Sequence, residues 1–248
     1  MHIVDSETPR VRVHSREAIK WTTIRRLDEL GEERLFFSIT VHSVNTEMTL
    51  LLEKVLVFVL PKLFTPLTED KLIFNKLPKV HELPDTLSVT SPEFEDGQHM
   101  PWTSGGNGVG ENRSPILKVD NIPPGTKQLI FILEDLDVPI PKPGLHTVAY
   151  NLSSEGSFPS GFFDGTTDRP GELTFGLAFR GSVGYQGPRP LVNHGRHRYY
   201  VEFYAISEEK TLAPKMNIDQ VTKIIETKGI SRGHLVGTFV RTDAKYKM

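Results

Sequence analysis

Three stretches of this chain carry side chains that could do chemistry on an anion. The first is EDLDVP at residues 134–139. Residues two apart in a strand point to the same face. Asp135 and Asp137 are therefore expected to share a face with Leu129, Phe131 and Leu133. An apolar stripe ending in two carboxylates suits a pocket rim, because a buried carboxylate is costly unless something pairs with it. The same pattern suits a strand that has reached solvent, with Asp135 capping a turn. The second stretch opens with His146, in HTVAYNL; a lone histidine is usually a hydrogen-bonded structural residue. The third is GPRPLVNHGRHRYYVEFYA, 187–205. Gly187, Pro188 and Pro190 make a stiff, irregular loop. His197 and Tyr199 then occupy one face of a strand, and Arg198 and Tyr200 the other.

If these strand ends meet, the site holds two carboxylates, two imidazoles and a phenol beside a rigid loop. Imidazole N–H groups, a tyrosine hydroxyl and loop amides donate to an anion's oxygen atoms, while aspartates orient the histidines and favour their cationic form. Affinity for phosphate or carboxylate is then expected to weaken as pH rises above neutrality. Histidines and aspartates also suit Zn²⁺ or Fe²⁺. However, no close-spaced ligand pair such as HExxH is present, and His194 and His197 lie in a glycine-containing loop. Neither metal nor cofactor is expected.

The elements that must position these residues follow from turn grammar. From residue 86 onward, short apolar runs alternate with Gly, Pro, Asn and Asp, which predicts a mostly β sandwich. The predicted strands are 87–91, 116–119, 128–135, 146–152, 173–179, 198–206 and 235–240. One helix is predicted at 217–228, capped by Asn217 and ended by Gly229. Upstream, TEMTLLLEKVLVFVL (46–60) predicts a helix that Pro61 stops. Its apolar positions are dense enough that it should dock on a larger body. Prolines 66, 78 and 84 argue against a long helix in the link that follows. Residues 1–44 suit a helix with frayed ends or a partly ordered arm.

Composition narrows the functions. With 29 Lys plus Arg against 31 Asp plus Glu in 248 residues, the net charge of −2 provides no field for a nucleic-acid backbone. Absence of cysteine removes disulfides, thiol nucleophiles and cysteine metal sites. The most apolar run, Leu50 to Leu60, is interrupted by Glu53 and Lys54 and falls short of the roughly 20 residues a span requires. The N-terminus lacks the order of a secretory signal, so a cytoplasmic, non-transmembrane protein is expected. GGNGVG at 105–110 departs from GxGxxG and precedes no helix, so it reads as a flexible turn. No GxSxG elbow is present. Arg180, Arg189, Arg196 and Arg198 read as a solvated face or as extra docking surface for an acidic ligand.

These same residues resemble the phosphatidylethanolamine-binding protein family, which includes the Raf kinase inhibitor proteins, and in particular its shorter bacterial and fungal branch. EDLDVP resembles the family's Asp-Pro-Asp-Ala-Pro element, HTVAYNL the strand opening with the pocket histidine, and GPRPLVNHGRHRYYVEFYA the Gly-Pro-x-Pro … His-Arg-Tyr element. LSVTSPEFEDGQHMP, GENRSPILKV and HLVGTFVR resemble flanking segments, so the likeness spans about residues 86–241, and KLIFNKLP with its preceding helix looks like a fungal extension.

The resemblance implies a β-sandwich of that family with few peripheral helices and an N-terminal helical extension. Residues 1–85 would form the extension, with helix 46–60 docked on the main domain at 86–248. Asp135, Asp137, His146, His197 and Tyr199 would line a small anion pocket, with Pro139, Gly187 and Pro188 around it and Val138–Pro139 as a candidate cis peptide. Implied ligands are phospholipid head groups and small carboxylates. Leu136 replaces the proline between the aspartates, Val138 the usual alanine, and Leu145 a bulky residue. A more apolar mouth there would favour a hydrophobic acid.

Two functions fit. One is a binding protein for a small anion, with no defined protein partner. The other is a cofactor-independent enzyme of fungal specialised metabolism, a cyclase or coupling catalyst for a carboxylic acid or anhydride. There His146 or His197 would be general base, the second histidine with Tyr199 would stabilise the enolate, and Asp135 and Asp137 would hold the imidazoles.

Overall fold

The computed structural model describes residues 19–27, 33–41, 55 and 67–242. Contacts divide the chain into two units, residues 1–53 and 54–248. In the first, strands β1 (Ile19–Leu27) and β2 (Glu33–Val41) pair antiparallel, from Ile19 opposite Val41 to Leu27 opposite Glu33. This corrects the expectation of a frayed helix or arm there. IKWTTIRRL and ERLFFSITV are rich in the β-branched and aromatic residues that suit a pleated surface. The predicted helix 46–60 lies outside the described residues except for Val55, which is helical.

The second unit is built on two sheets. Strands β3 (Ser88–Thr90), β4 (Leu117–Asp120) and β7 (Ser157–Phe158) form a small one in the order β3-β4-β7. Strands β5 (Gln128–Asp135), β6 (Gly144–Leu152), β8 (Thr174–Phe175), β9 (Arg196–Ile206) and β10 (Gly229–Val240) form a larger one in the order β10-β9-β5-β6-β8. All paired neighbours in these sheets run antiparallel. Leu117, Val119 and Phe158 of the small sheet pack with Leu129, Phe131, Leu133, Val201 and Phe203 of the large one. Burying one such side chain stabilises by about 1.5–3 kcal/mol.

The other face of the large sheet is covered too. Helices α1 (Ile73–Lys76) and α2 (Pro78–His81) contribute Ile73 and Val80, and α3 (Ile218–Lys228) contributes Val221 and Ile225, against Ile130, Ile132 and Tyr204. Every residue of β5 is therefore buried. Asn217 accepts from Gln220 N–H and Gln220 reciprocates, the expected cap of α3. The predicted strand 173–179 shrinks to Thr174–Phe175, because Gly176 and Leu177 hydrogen-bond to Val148 and Met216 and the chain turns at 179–181. Strand β10 begins at Gly229, well ahead of the expected residue 235. Among the described residues no helix is long and apolar enough to cross a membrane.

Two carboxyl groups are sealed beneath the outer layer. Glu134 accepts from the Ile73 amide at 2.9 Å, and Glu202 accepts from the Tyr204 hydroxyl at 2.6 Å. Burial pushes Glu134 up to about 7 and outweighs the Ile73 amide, Glu202 and Lys76, which pull it down. Glu202 is also raised well above the usual value, by burial first and then by the Glu134 charge, with the Tyr204 hydroxyl and Arg232 opposing. A carboxyl whose folded value is raised holds its proton longer when folded than when unfolded. The contribution of Glu134 to stability is therefore fully present below the unfolded value of about 4.5 and is lost as pH rises through about 7. Glu202→Gln mimics the protonated acid. It is expected to flatten that decline and to stabilise the protein at pH 8 by about 1–3 kcal/mol. Urea unfolding at pH 5 and pH 8 measures both; an unchanged pH slope in the variant would exclude the pair as its source.

Candidate functional site

The site lies where β6, β5 and β9 end side by side, with Asp135 opposite Gly144 on one flank and Tyr199 on the other. Asp135 continues the inward stripe of Leu129, Phe131 and Leu133, and His197 and Tyr199 continue that of Val201 and Phe203. His146 arrives differently. The β5–β6 register shifts between Leu133, which faces Thr147, and Glu134, which faces Leu145. His146 is the extra residue of that bulge, a device that re-aims a side chain at a sheet's end.

Asp135 is buried and surrounded by donors. His197 Nδ1–H donates to its two oxygens at 2.8 and 3.0 Å, and the Asp137 amide to Oδ1 at 2.9 Å. The far nitrogen of His197, Nε2, lies 2.6 Å from Nδ1 of His194. One proton fits between those nitrogens, so Asp135, His197 and His194 form a relay that carries at most one imidazolium with its hydrogen bonds intact. Burial, then the facing His197, holds His194 below the usual imidazole value, with Asp135 and Asp137 opposing.

His146 Nδ1 lies 2.9 Å from the Gln186 carbonyl and so carries a proton, because a carbonyl only accepts. This leaves Nε2 on the other side of the ring, 3.9 Å from Asp135 Oδ2. Tyr199 underlies both imidazoles, edge-on to His146 with centroids 5.3 Å apart. Its hydroxyl is buried and makes no well-formed hydrogen bond. Burial, then the nearby Asp135 charge, raises it well above the usual phenol value.

These groups face a hollow of about 550 Å³. Of the expected residues, Asp135, Pro139, His146, Gly187 and His197 line it. Tyr199 lies beneath the imidazoles, and Pro188 acts from behind by accepting the Gly106 amide at 2.8 Å. Asp137 is not brought in. Strand alternation stops at Asp135, and Asp137 turns to Arg198, whose backbone amide, Nε and Nη2 donate to it at 2.8–2.9 Å. Burial raises that carboxyl, but the Arg198 donors outweigh it and hold it below the usual range. Leu136, expected at the mouth, is instead buried in the outer core, while Val138 and Leu145 do line the hollow. Val138–Pro139 is trans, since no cis peptide occurs among the described residues; the chain turns there through an Ile140 amide to Val138 carbonyl bond of 2.8 Å.

Sequence reasoning missed several wall residues. Gly106 and Asn107, in the segment read as a flexible turn, form one side. Gly106 stands where a Cβ would lie 2.8 Å from the Gly187 carbonyl, so the glycine run there allows two backbones to meet. A cluster of glycines outside any phosphate-loop pattern was the signal that could have found them. Arg180 and Arg189 reach the hollow from opposite ends of one long loop. Among the described residues no group of three or more His, Asp or Glu is arranged to hold a metal ion.

The chain has relatives among known proteins. A family model described as phosphatidylethanolamine-binding protein matches residues 90–240. The chain is 31% identical over 157 residues to a UPF0098 protein of Pyrococcus horikoshii, covering 63% of this chain and 77% of that one. It is 30% identical over 128 residues to the UPF0098 protein YbhB of Escherichia coli, covering 50% and 80%. Among solved structures it is similar to E. coli YbcL, described as a member of the mammalian PEBP family. The TM-score is 0.56 at 23% identity, with 62% of this chain and 98% of that one covered.

Proposed function

The chain belongs to the phosphatidylethanolamine-binding protein family, and from that premise we propose that the hollow binds the anionic group of a small ligand, a phosphate or a carboxylate. The observation that carries this reading is the fixed orientation of His146. With Nδ1 spent on the Gln186 carbonyl, Nε2 is the nitrogen left for the hollow. Protonated, it is a charge-assisted donor to an oxyanion. Arg180 and Arg189 add positive charge at the lip. His197 plays a different part. Its nitrogens are engaged by Asp135 and His194, so it holds the carboxylate rather than the ligand. The phospholipid head group and the free small anion share this chemistry. The acid–base reading draws on the same groups, but its fungal and cyclase attributes find no support in the relatives named above, which are archaeal and bacterial.

Calorimetry with inorganic phosphate and with acetate, at low salt and several pH values, tests this. Saturable binding is expected at pH 6. His146→Ala should weaken binding at pH 6 at least tenfold. Absence of saturable heat for both anions at pH 6 would overturn the proposal.

A further inference from the structure

We infer that the hollow selects a single-chain amphiphile of net negative charge, an alkyl phosphate or fatty carboxylate, over one whose head group carries an ammonium. The inference rests on the anion-binding reading and adds the rest of the ligand to it. At about 550 Å³ the hollow is in the class that encloses whole small organic molecules, well beyond one oxyanion. Its polarity is graded. Asp135 and His197 are its buried polar side chains, and His146, Ser182 and Gln186 are polar and partly exposed. Val138, Pro139, Ile140, Leu145 and Leu191 supply a separate apolar wall. An anionic head at His146 thus leaves an alkyl chain for that apolar wall, where each buried methylene is favourable.

The lip defines the charge preference. Phe179 is 44% exposed, one of few large apolar side chains so placed among the described residues. The Arg180 guanidinium lies 5.2 Å from its ring centroid. Arg180 has φ 56°, a left-handed conformation that a non-glycine residue adopts only at a cost. The Gly181 amide to Ala178 carbonyl bond of 3.0 Å and the Ala178 amide to Ser182 carbonyl bond of 2.8 Å hold it there. The turn therefore sets an aromatic face and a cation together at the opening. Asp135 is the one carboxylate among the lining residues, and it is engaged by His197. An ammonium leaving the hollow would meet the Arg180 guanidinium, and the only carboxylate in that lining is the engaged Asp135.

The test titrates the full chain at pH 6 with inorganic phosphate, butyl and octyl phosphate below the micelle concentration, and the ethanolamine ester of octyl phosphate. Affinity should rise about fourfold per methylene over the first few carbons, and octyl phosphate should exceed its ethanolamine ester at least tenfold. Phe179→Ser should reduce the octyl-to-butyl affinity ratio, and Arg180→Glu should shift the ratio of the two octyl ligands toward the ester. Saturable inorganic phosphate binding without a chain-length gain, or an ester bound as well as octyl phosphate, would overturn this inference and leave the anion reading standing. No binding by any phosphate would remove the reading itself. Binding to phosphatidic acid vesicles that octyl phosphate does not compete would also overturn it, because the occupant would then be a lipid surface.

Discussion

Asp135→Ala is expected to abolish saturable phosphate binding and to lower the unfolding free energy by about 2–3 kcal/mol, the upper part of the range for buried hydrogen-bonding groups left unsatisfied. The carboxylate is 2% exposed and receives His197 Nδ1–H and the Asp137 amide. Its removal leaves two buried donors without an acceptor and frees the ring that it aligns. An aspartate at the floor of an anion site is at first sight a repulsive element. Its hydrogen bonds make it a support instead: it fixes His197, and its charge opposes the burial that holds His194 down. Asp135→Asn separates the two views. The amide keeps one acceptor oxygen but no charge, so the fold should survive while phosphate binding weakens. Tighter binding by either variant, read by calorimetry at pH 6 to 8 beside urea unfolding, would show that the carboxylate merely opposes the ligand.

Gly187→Ala should be the most damaging single methyl group in the site, at about 3 kcal/mol, the upper part of the range for overpacking. A Cβ there would lie 2.0 Å from the Ser104 carbonyl oxygen and 3.0 Å from the Gly106 amide. Both are backbone atoms, which cannot rotate away. Gly187 needs no positive φ, so the demand is for space alone. Separating the 187–191 loop from Gly105–Gly106 breaks the wall of the hollow, so phosphate binding should fall with stability. Gly171→Ala is the matched comparison. Gly171 has φ 79° with nothing within 4 Å of the added carbon, so it reads backbone strain without collision, about 1–2 kcal/mol. Equal losses of stability in the two variants would sink the close-approach argument.

Much of the architecture was legible because it depends on local alternation. In QLIFILED and RHRYYVEFYAI, successive residues face opposite cores, and the strand ends bearing Asp135 and His197 follow from that period of two. The Asn217 cap of α3 was legible for the same reason, since its partners are three residues apart. By contrast, β1 and β2 and the start of β10 escaped detection, because mixed polar and apolar strands leave only a weak signal.

The amino-acid order by itself determined which chemical groups stand at the ends of β5, β6 and β9, and that an acid, imidazoles and a phenol are among them. Tertiary structure decided which of them meet. The bulge that turns His146 inward, the turn that sends Asp137 to Arg198, the pairing of His197 with Asp135 and the approach of Gly106 to Gly187 all join segments distant along the chain or a register slipped by one residue. One residue of slip exchanges the faces of a strand, and only the packing of both cores fixes where that slip falls.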